Sequence, residues 1–474
     1  MATVTATAAV NRFGLGARAD ELNGVGPDPR GWLRAQLKPG DVDAFAGLPT
    51  SADYLSDYHA IQQMRRENKF NAKSTTKEAQ PKQGATPEQR AFRRKLVRES
   101  ILRQQVAVRS QQPFAERIVR FWSNHFAISV DKRIAAPFAA PMEREAIRPH
   151  AFGKFVDMLF AVERHPGMLL YLDNAQSIGA ESRMAENAGR RRGAPTKQRK
   201  RGLNENLARE TLELHTLGVD AGYSQTDVIE LARAITGWSV ASPRDNGALT
   251  GNGAFVFRAN AHEPGARYVL GKSYADDGEA QGLHILHNLA LHPATARHLS
   301  FKLARHFVAD VPPPALVERM AHAYLSSGGE LTALYRALID DDAAWMPNAR
   351  KFKTPDDFTV SSMRATGLER DGDIVASIDL LERMGQPLFQ SRSPAGFADT
   401  AADWSGPDAL FKRVQAAQAI ADRVPVQGAE PLQMGTSALG ATLDPETATA
   451  LRRAESVKQG IALLLASPAF QWRC

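Results

Sequence analysis

The chain has 474 residues, 43% of them hydrophobic and 23% charged, a composition that supports a large packed core and excludes a disordered protein. Its net charge of +7 draws acidic partners by long-range attraction and says nothing of fold. The single cysteine, Cys474, excludes an intramolecular disulfide and an all-cysteine metal site. No stretch approaches the roughly 18 consecutive apolar residues of a membrane-spanning helix.

The opening Met1–Val10 stretch has neither a positive n-region nor a sustained apolar core, so a cytoplasmic location without a secretory signal is expected. Pro27 and Pro29 precede a short amphipathic helix over 32–37. Residues 66–90, rich in Lys, Asn, Gln, Thr and Pro, read as a linker or disordered insertion. A charged helix over 89–111 follows, with Phe92, Leu96 and Ile101 on one face. Pro113 opens the next one, through Ile118, Phe121 and Trp122.

Periodicity and turn residues predict further helices at 143–162, 203–217, 225–237, 279–290, 294–308, 314–325, 330–340, 376–384, 408–421 and 448–466. Between them, residues 183–201 hold eight basic side chains against Glu186 alone, with Gly189, Gly193 and Pro195. This reads as a basic loop (186–203). It has no interleaved aromatic residues to stack on bases. Phe255–Phe257 and Tyr268–Leu270 flank a polar turn and predict a β-hairpin near 254–271. The expected fold is therefore all-α with one small hairpin, as a single large helical domain over 1–474.

The densest chemistry lies in Asn204–Gly218, whose polar groups include three carboxylates, an arginine and two amides. At about 100° per residue, Asn206, Glu210 and Glu213 share one face with Arg209 beside them, and His215 lies on the other side. Glu210 and Glu213 together can share a proton or hold a hard cation. Arg209 or Arg233 can equally neutralise them in a structural network. These five residues, Asn206, Arg209, Glu210, Glu213 and His215, are the candidate catalytic group. His125, near a helix end, and His262, in a loop before Glu263, Pro264 and Gly265, are candidate ligands. If they met His215 and Glu210, with Asn124 nearby, the set would suit a divalent metal ion. His284 and His287 read as surface residues, His292 as a helix-start residue, and His306 as packed among Phe301, Leu303 and Phe307. No nucleophile elbow, phosphate-binding Walker loop or His-Glu-x-x-His is present, and Gly14-Leu-Gly16 is too short for a dinucleotide fingerprint.

Several ordered segments resemble the bacterial domain-of-unknown-function family 1800. They include Asn11–Gly16, Phe121–Phe126, Met168–Asn174, Asn204–Gly218, Gly222–Asp227 and Ala232–Trp238. His262–Gly265, His292–Ala296, Lys302–Arg305 and Lys353–Pro355 complete the series. The resemblance covers nearly the whole chain and implies a mostly helical bacterial protein, exported in some relatives, with no activity to carry over. The 189–201 and 66–90 regions look like insertions beyond the shared pattern. The favoured expectation is a scaffold or accessory binding protein, whose partner is another protein or a small-molecule substrate. A metal-dependent enzyme is one alternative and nucleic-acid binding through the basic loop another.

Overall fold

In the computed structural model, residues 3–40, 42–74, 86–190, 202–219, 221–242, 245 and 254–474 are described. The architecture is mainly helical, with a few short antiparallel strand pairs. Proline and short polar side chains set many helix starts. Thr86 and Thr354 each close a capping box ahead of Pro87 and Pro355, and His292 caps the Pro293–Phe307 helix through its Nδ1. Proline lacks the N–H that a first turn would leave unpaired, so it marks these starts at no cost.

Two hydrophobic clusters build the interior. The larger runs from Ala6 to Ala349 and is centred on residues such as Phe13, Trp122, Phe155, Trp238 and Tyr335. The second gathers Phe358, Ile374, Ile420, Ile461 and Phe470 from the C-terminal helices, with Leu15, Ala107 and Val108 from the first part of the chain. In it, the Pro407–Arg423 and Val457–Ala466 helices pack against each other.

Several predicted elements differ in detail. Phe255–Phe257 pairs with Trp238–Val240, and Arg267–Val269 pairs with Lys272–Tyr274, so the expected strands exist but join other partners. Lys351–Phe352 and Trp472–Arg473 add a pair between distant parts of the chain. The 143–162 helix is broken: a wide turn over Glu143–Ile147 is followed by Phe155–Glu163. The 448–466 helix is two, because Ser456 starts a new helix by capping Gln459 N. Within 66–90, the Ser51–Ser74 helix reaches in from one side and Pro87–Arg109 from the other, while 75–85 lie outside the described residues. Residues 183–190 of the basic run are helical, and 191–201 also lie outside. Among the described residues no helix is long and apolar enough to cross a membrane.

Candidate functional site

The Pro113–His125 helix forms one wall of a cleft. Its Phe114, Ile118 and Trp122 are buried in the core, and Trp122 Nε1 donates to the Tyr335 hydroxyl at 2.6 Å, which anchors the helix from behind. Arg117, Phe121 and Asn124 fall at i, i+4 and i+7 and line the cleft together with Arg120 and His125. The Pro293–Phe307 helix faces them. Its Lys302 and His306, one turn apart, line the cleft with Arg305 between them. Thr354, Asp356 and Asp357, at the start of the Pro355–Thr366 helix, close one end, and residues 386–399 cover the other. The cleft, open on one side, has a volume of about 260 Å³.

Residues 386–399 have little regular structure, so side chains hold them in place. Asn124 Nδ2 donates to Phe397 O at 2.9 Å, and Phe397 N donates back to Asn124 Oδ1 at 2.8 Å. Gly396 has φ +81°, and a Cβ there would strike the Asn124 carbonyl, so a side chain would push this segment off the helix. Gln386 Oε1 accepts from Asp356 N, and Gln390 Nε2 donates to Asp131 Oδ1, both at 2.8 Å.

Most charges around the cleft are paired. Arg117 meets Asp357 and Arg120 meets Asp356, each at 2.5 Å, and Arg103 meets Glu143 at 2.7 Å. Arg473 adds a second cation to Asp357 at 3.5 Å. Burial alone would raise the Asp357 carboxyl, but Arg117 and Arg473 hold it far below the usual carboxylate range. Arg120 Nη1 is buried without a hydrogen-bond partner among the described residues. Lys302 and Arg305 have no carboxylate within 4.0 Å among the described residues. Lys302 Nζ contacts His125 Nδ1 at 2.9 Å, and Arg305 Nε donates to Asp310 O at 3.1 Å, with its guanidinium 4.9 Å from the Phe301 ring.

His306 Nδ1 lies 2.8 Å from Asp399 Oδ2, and its Nε2 is buried without a partner among the described residues. Burial holds the imidazole below its ordinary value against the pull of Asp399, so it is neutral at pH 7. The carboxylate keeps the proton on Nδ1 and leaves the buried Nε2 as the acceptor nitrogen, the tautomer that a general base uses. Asp399 stays ionised: burial raises it, but His306, Lys351 and Arg473 together pull it below the usual value.

Behind the cleft lies the Asn204–Gly218 segment. Asn206–Glu210 is α-helical, but Thr211–His215 is a wider π-turn, so a wheel of 100° per residue does not hold past Glu210. The widened turn leaves carbonyls free of the usual ladder. Two histidines satisfy them: His125 Nε2 donates to His215 O at 3.2 Å, and His298 Nε2 donates to Leu214 O at 3.1 Å. His215 is fully buried, with Nδ1 2.6 Å from Glu163 Oε1.

The predicted catalytic group is therefore divided. Arg209 pairs with Glu205 at 3.2 Å and Glu213 at 3.5 Å on a half-buried face, and Asn206 is exposed. Burial raises the Glu210 carboxyl, with Glu213 adding to the shift and His215 and Arg209 opposing it. None of Asn206, Arg209, Glu210, Glu213 and His215 lines the cleft, whereas Asn124 and His125 do. Of the predicted metal set, His125 and His215 have ring centroids 6.3 Å apart. His262 is occupied elsewhere, its Nδ1 3.0 Å from Thr236 O and its ring against Phe257. Among the described residues no three His, Cys, Asp or Glu side chains are grouped to hold one metal ion.

Sequence reasoning passed over Lys302, Arg305, His306 and Asp399. His306 does touch Phe307, but it also contacts Phe121 and Asp399. The available signal was the one-turn spacing of Lys302 and His306. Nothing in the sequence tied Asp399 to them. Four segments that carried the resemblance, Asn11–Gly16, Phe121–Phe126, Lys302–Arg305 and Lys353–Pro355, each contribute to the cleft lining.

No curated protein and no solved structure matches the chain. The profile of a family described as "Protein of unknown function (DUF1800)" matches residues 8–472. The chain is a member of the DUF1800 family.

Proposed function

We propose that the protein binds a small anion in the cleft between the Pro113–His125 and Pro293–Phe307 helices, and that His306, oriented by Asp399, performs acid–base chemistry on it. The observation that carries this reading is the pair Lys302 and Arg305. They are neighbours on one helix face, line the cleft, and lack a carboxylate partner among the described residues. Two unneutralised cations in a partly desolvated recess attract an anion far more strongly than the same groups in water. A volume of about 260 Å³ suits a small molecule rather than a polymer. The Asn204–Gly218 segment then serves as a brace that fixes His125 from behind, which keeps part of the scaffold reading.

Titration calorimetry with oxalate and with inorganic phosphate tests this. Binding of at least one anion is expected, weakened about tenfold or more (about 1.4 kcal/mol) in Lys302→Met and Arg305→Met, with the folded state checked by circular dichroism. No heat with either anion, or affinity unchanged in both variants, would refute the reading.

A further inference from the structure

The Lys302 amine differs in its surroundings from an ordinary surface lysine. Lys412, for comparison, has a side chain 40% exposed and pairs with Asp408 at 2.8 Å. Lys302 is half-buried against the cleft, and among the described residues its one hydrogen-bond partner is His125 Nδ1 at 2.9 Å. His125 is already committed on its other side, because only Nε2–H can satisfy the His215 carbonyl. Its Nδ1 is thereby fixed as an acceptor and the ring is neutral, so it receives an N–H without neutralising an ammonium. The other groups around the amine are Arg305 on the same helix, His298 one turn back, His306 one turn on, and Asp399, which is engaged by His306.

We propose that Lys302 is a nucleophilic amine that condenses with the carbonyl carbon of a small 2-oxo acid held in the cleft. Burial disfavours the ammonium, and Arg305 adds to this against the pull of Asp399, so the group is lowered to about 8. About a tenth of the amine is then neutral at pH 7, far more than for an ordinary lysine. Arg305, three residues along the same helix face, is placed for the carboxylate of such a ligand. In the step, the nitrogen lone pair forms the C–N bond and the carbonyl π electrons move to oxygen, giving a carbinolamine. The C–O bond then breaks. The amine's two protons leave with that oxygen as water, and the first can cross through the His125 Nδ1 it already contacts. The product is an imine, and no oxidant or reductant is consumed.

The proposal rests on the cleft being the anion site, and the two ideas fail separately. The experiment is reductive trapping of the full-length protein with glyoxylate and cyanoborohydride at pH 7.5, read by intact mass and peptide mapping. Expected is one dominant adduct on Lys302, forming about tenfold or more faster than on surface lysines. It should be lost in Lys302→Arg, slowed in His125→Gln, and suppressed by oxalate. Uniform labelling of surface lysines, or an unchanged adduct in Lys302→Arg, would overturn the imine step. Oxalate binding without a Lys302 adduct overturns the imine alone. Absence of both overturns the imine and the site together.

Discussion

Individual charged residues in this protein differ in worth according to burial. Arg117 and Asp357 are nearly inaccessible and 2.5 Å apart, and Arg117 Nε also donates to Gly14 O. Arg117→Met strands part of a buried charge, and a loss of about 3–5 kcal/mol is expected in denaturant unfolding. Arg297 and Glu318 form a pair more than half exposed, and Arg297→Ala should cost no more than about 1 kcal/mol. Equal costs for the two would contradict the buried network.

Histidine burial also sets a pH dependence. Burial holds His125 and His306 below the ordinary value, and burial together with the Lys302 charge brings His298 down to about 4. The unfolded chain takes up protons near pH 6.5 that the folded chain refuses. Their contribution is therefore full above pH 6.5 and is lost as pH falls from there through about 4. Glu99 and Glu210, raised by burial, protonate first in the folded state and oppose this trend. The comparison must then be by difference: His298→Gln should show a shallower fall in Tm between pH 7.5 and 5 than the parent. Identical slopes would count against it. The buried status of these histidines was not legible in sequence. His125 read as a candidate ligand, His306 as a packing residue, and His298 carried no reading; what decided each role was a carbonyl or a carboxylate from a distant segment.

At the scale of elements, Asn124 is one of several side chains that hold the cover over the cleft, with Gln386, Gln390 and His306 at other points along it. Asn124→Ala removes both hydrogen bonds to the Phe397 main chain, worth about 1–3 kcal/mol together. Faster amide exchange is expected through 386–399, with the Pro113–His125 helix still protected by its core contacts. Unchanged exchange at Phe397 would show that Asn124 does not hold the cover. The helices themselves were largely legible, because proline and capping residues mark their starts: 279–290 was read with the bounds of Glu279–Ala290, and 314–325 within one residue of Pro314–Ser326. The π-turn at Thr211–His215 was not legible. Its stability comes from the histidines capping its carbonyls, and local periodicity carries no trace of that. Strand partners failed for a similar reason, since three-residue strands hold too little pattern to set their pairing.

The whole molecule joins two hydrophobic clusters along the line where the cleft lies. Arg364 crosses that line, donating to the carbonyls of Gly16, Ala107, Val108 and Ser110 and pairing with Glu21 at 2.8 Å. Arg117–Asp357 and Arg120–Asp356 cross it as well. With so many buried polar links shared, the clusters should unfold together. Scanning calorimetry is expected to show one transition, with calorimetric and van't Hoff enthalpies in agreement, and two resolved transitions would contradict this. Family membership was legible from short segments spread along the chain. The meeting of four of those segments at one cleft was not, because it depends on the packing of elements far apart in sequence, from Leu15 to Thr354.

The most direct test of the anion site is a crystal structure of the protein soaked in tungstate, whose density identifies bound anions unambiguously. The account predicts an anion within hydrogen-bond reach, about 3 Å, of Lys302 Nζ and the Arg305 guanidinium, beneath residues 386–399. Tungstate found only on exposed basic side chains, with the cleft holding none, would contradict it.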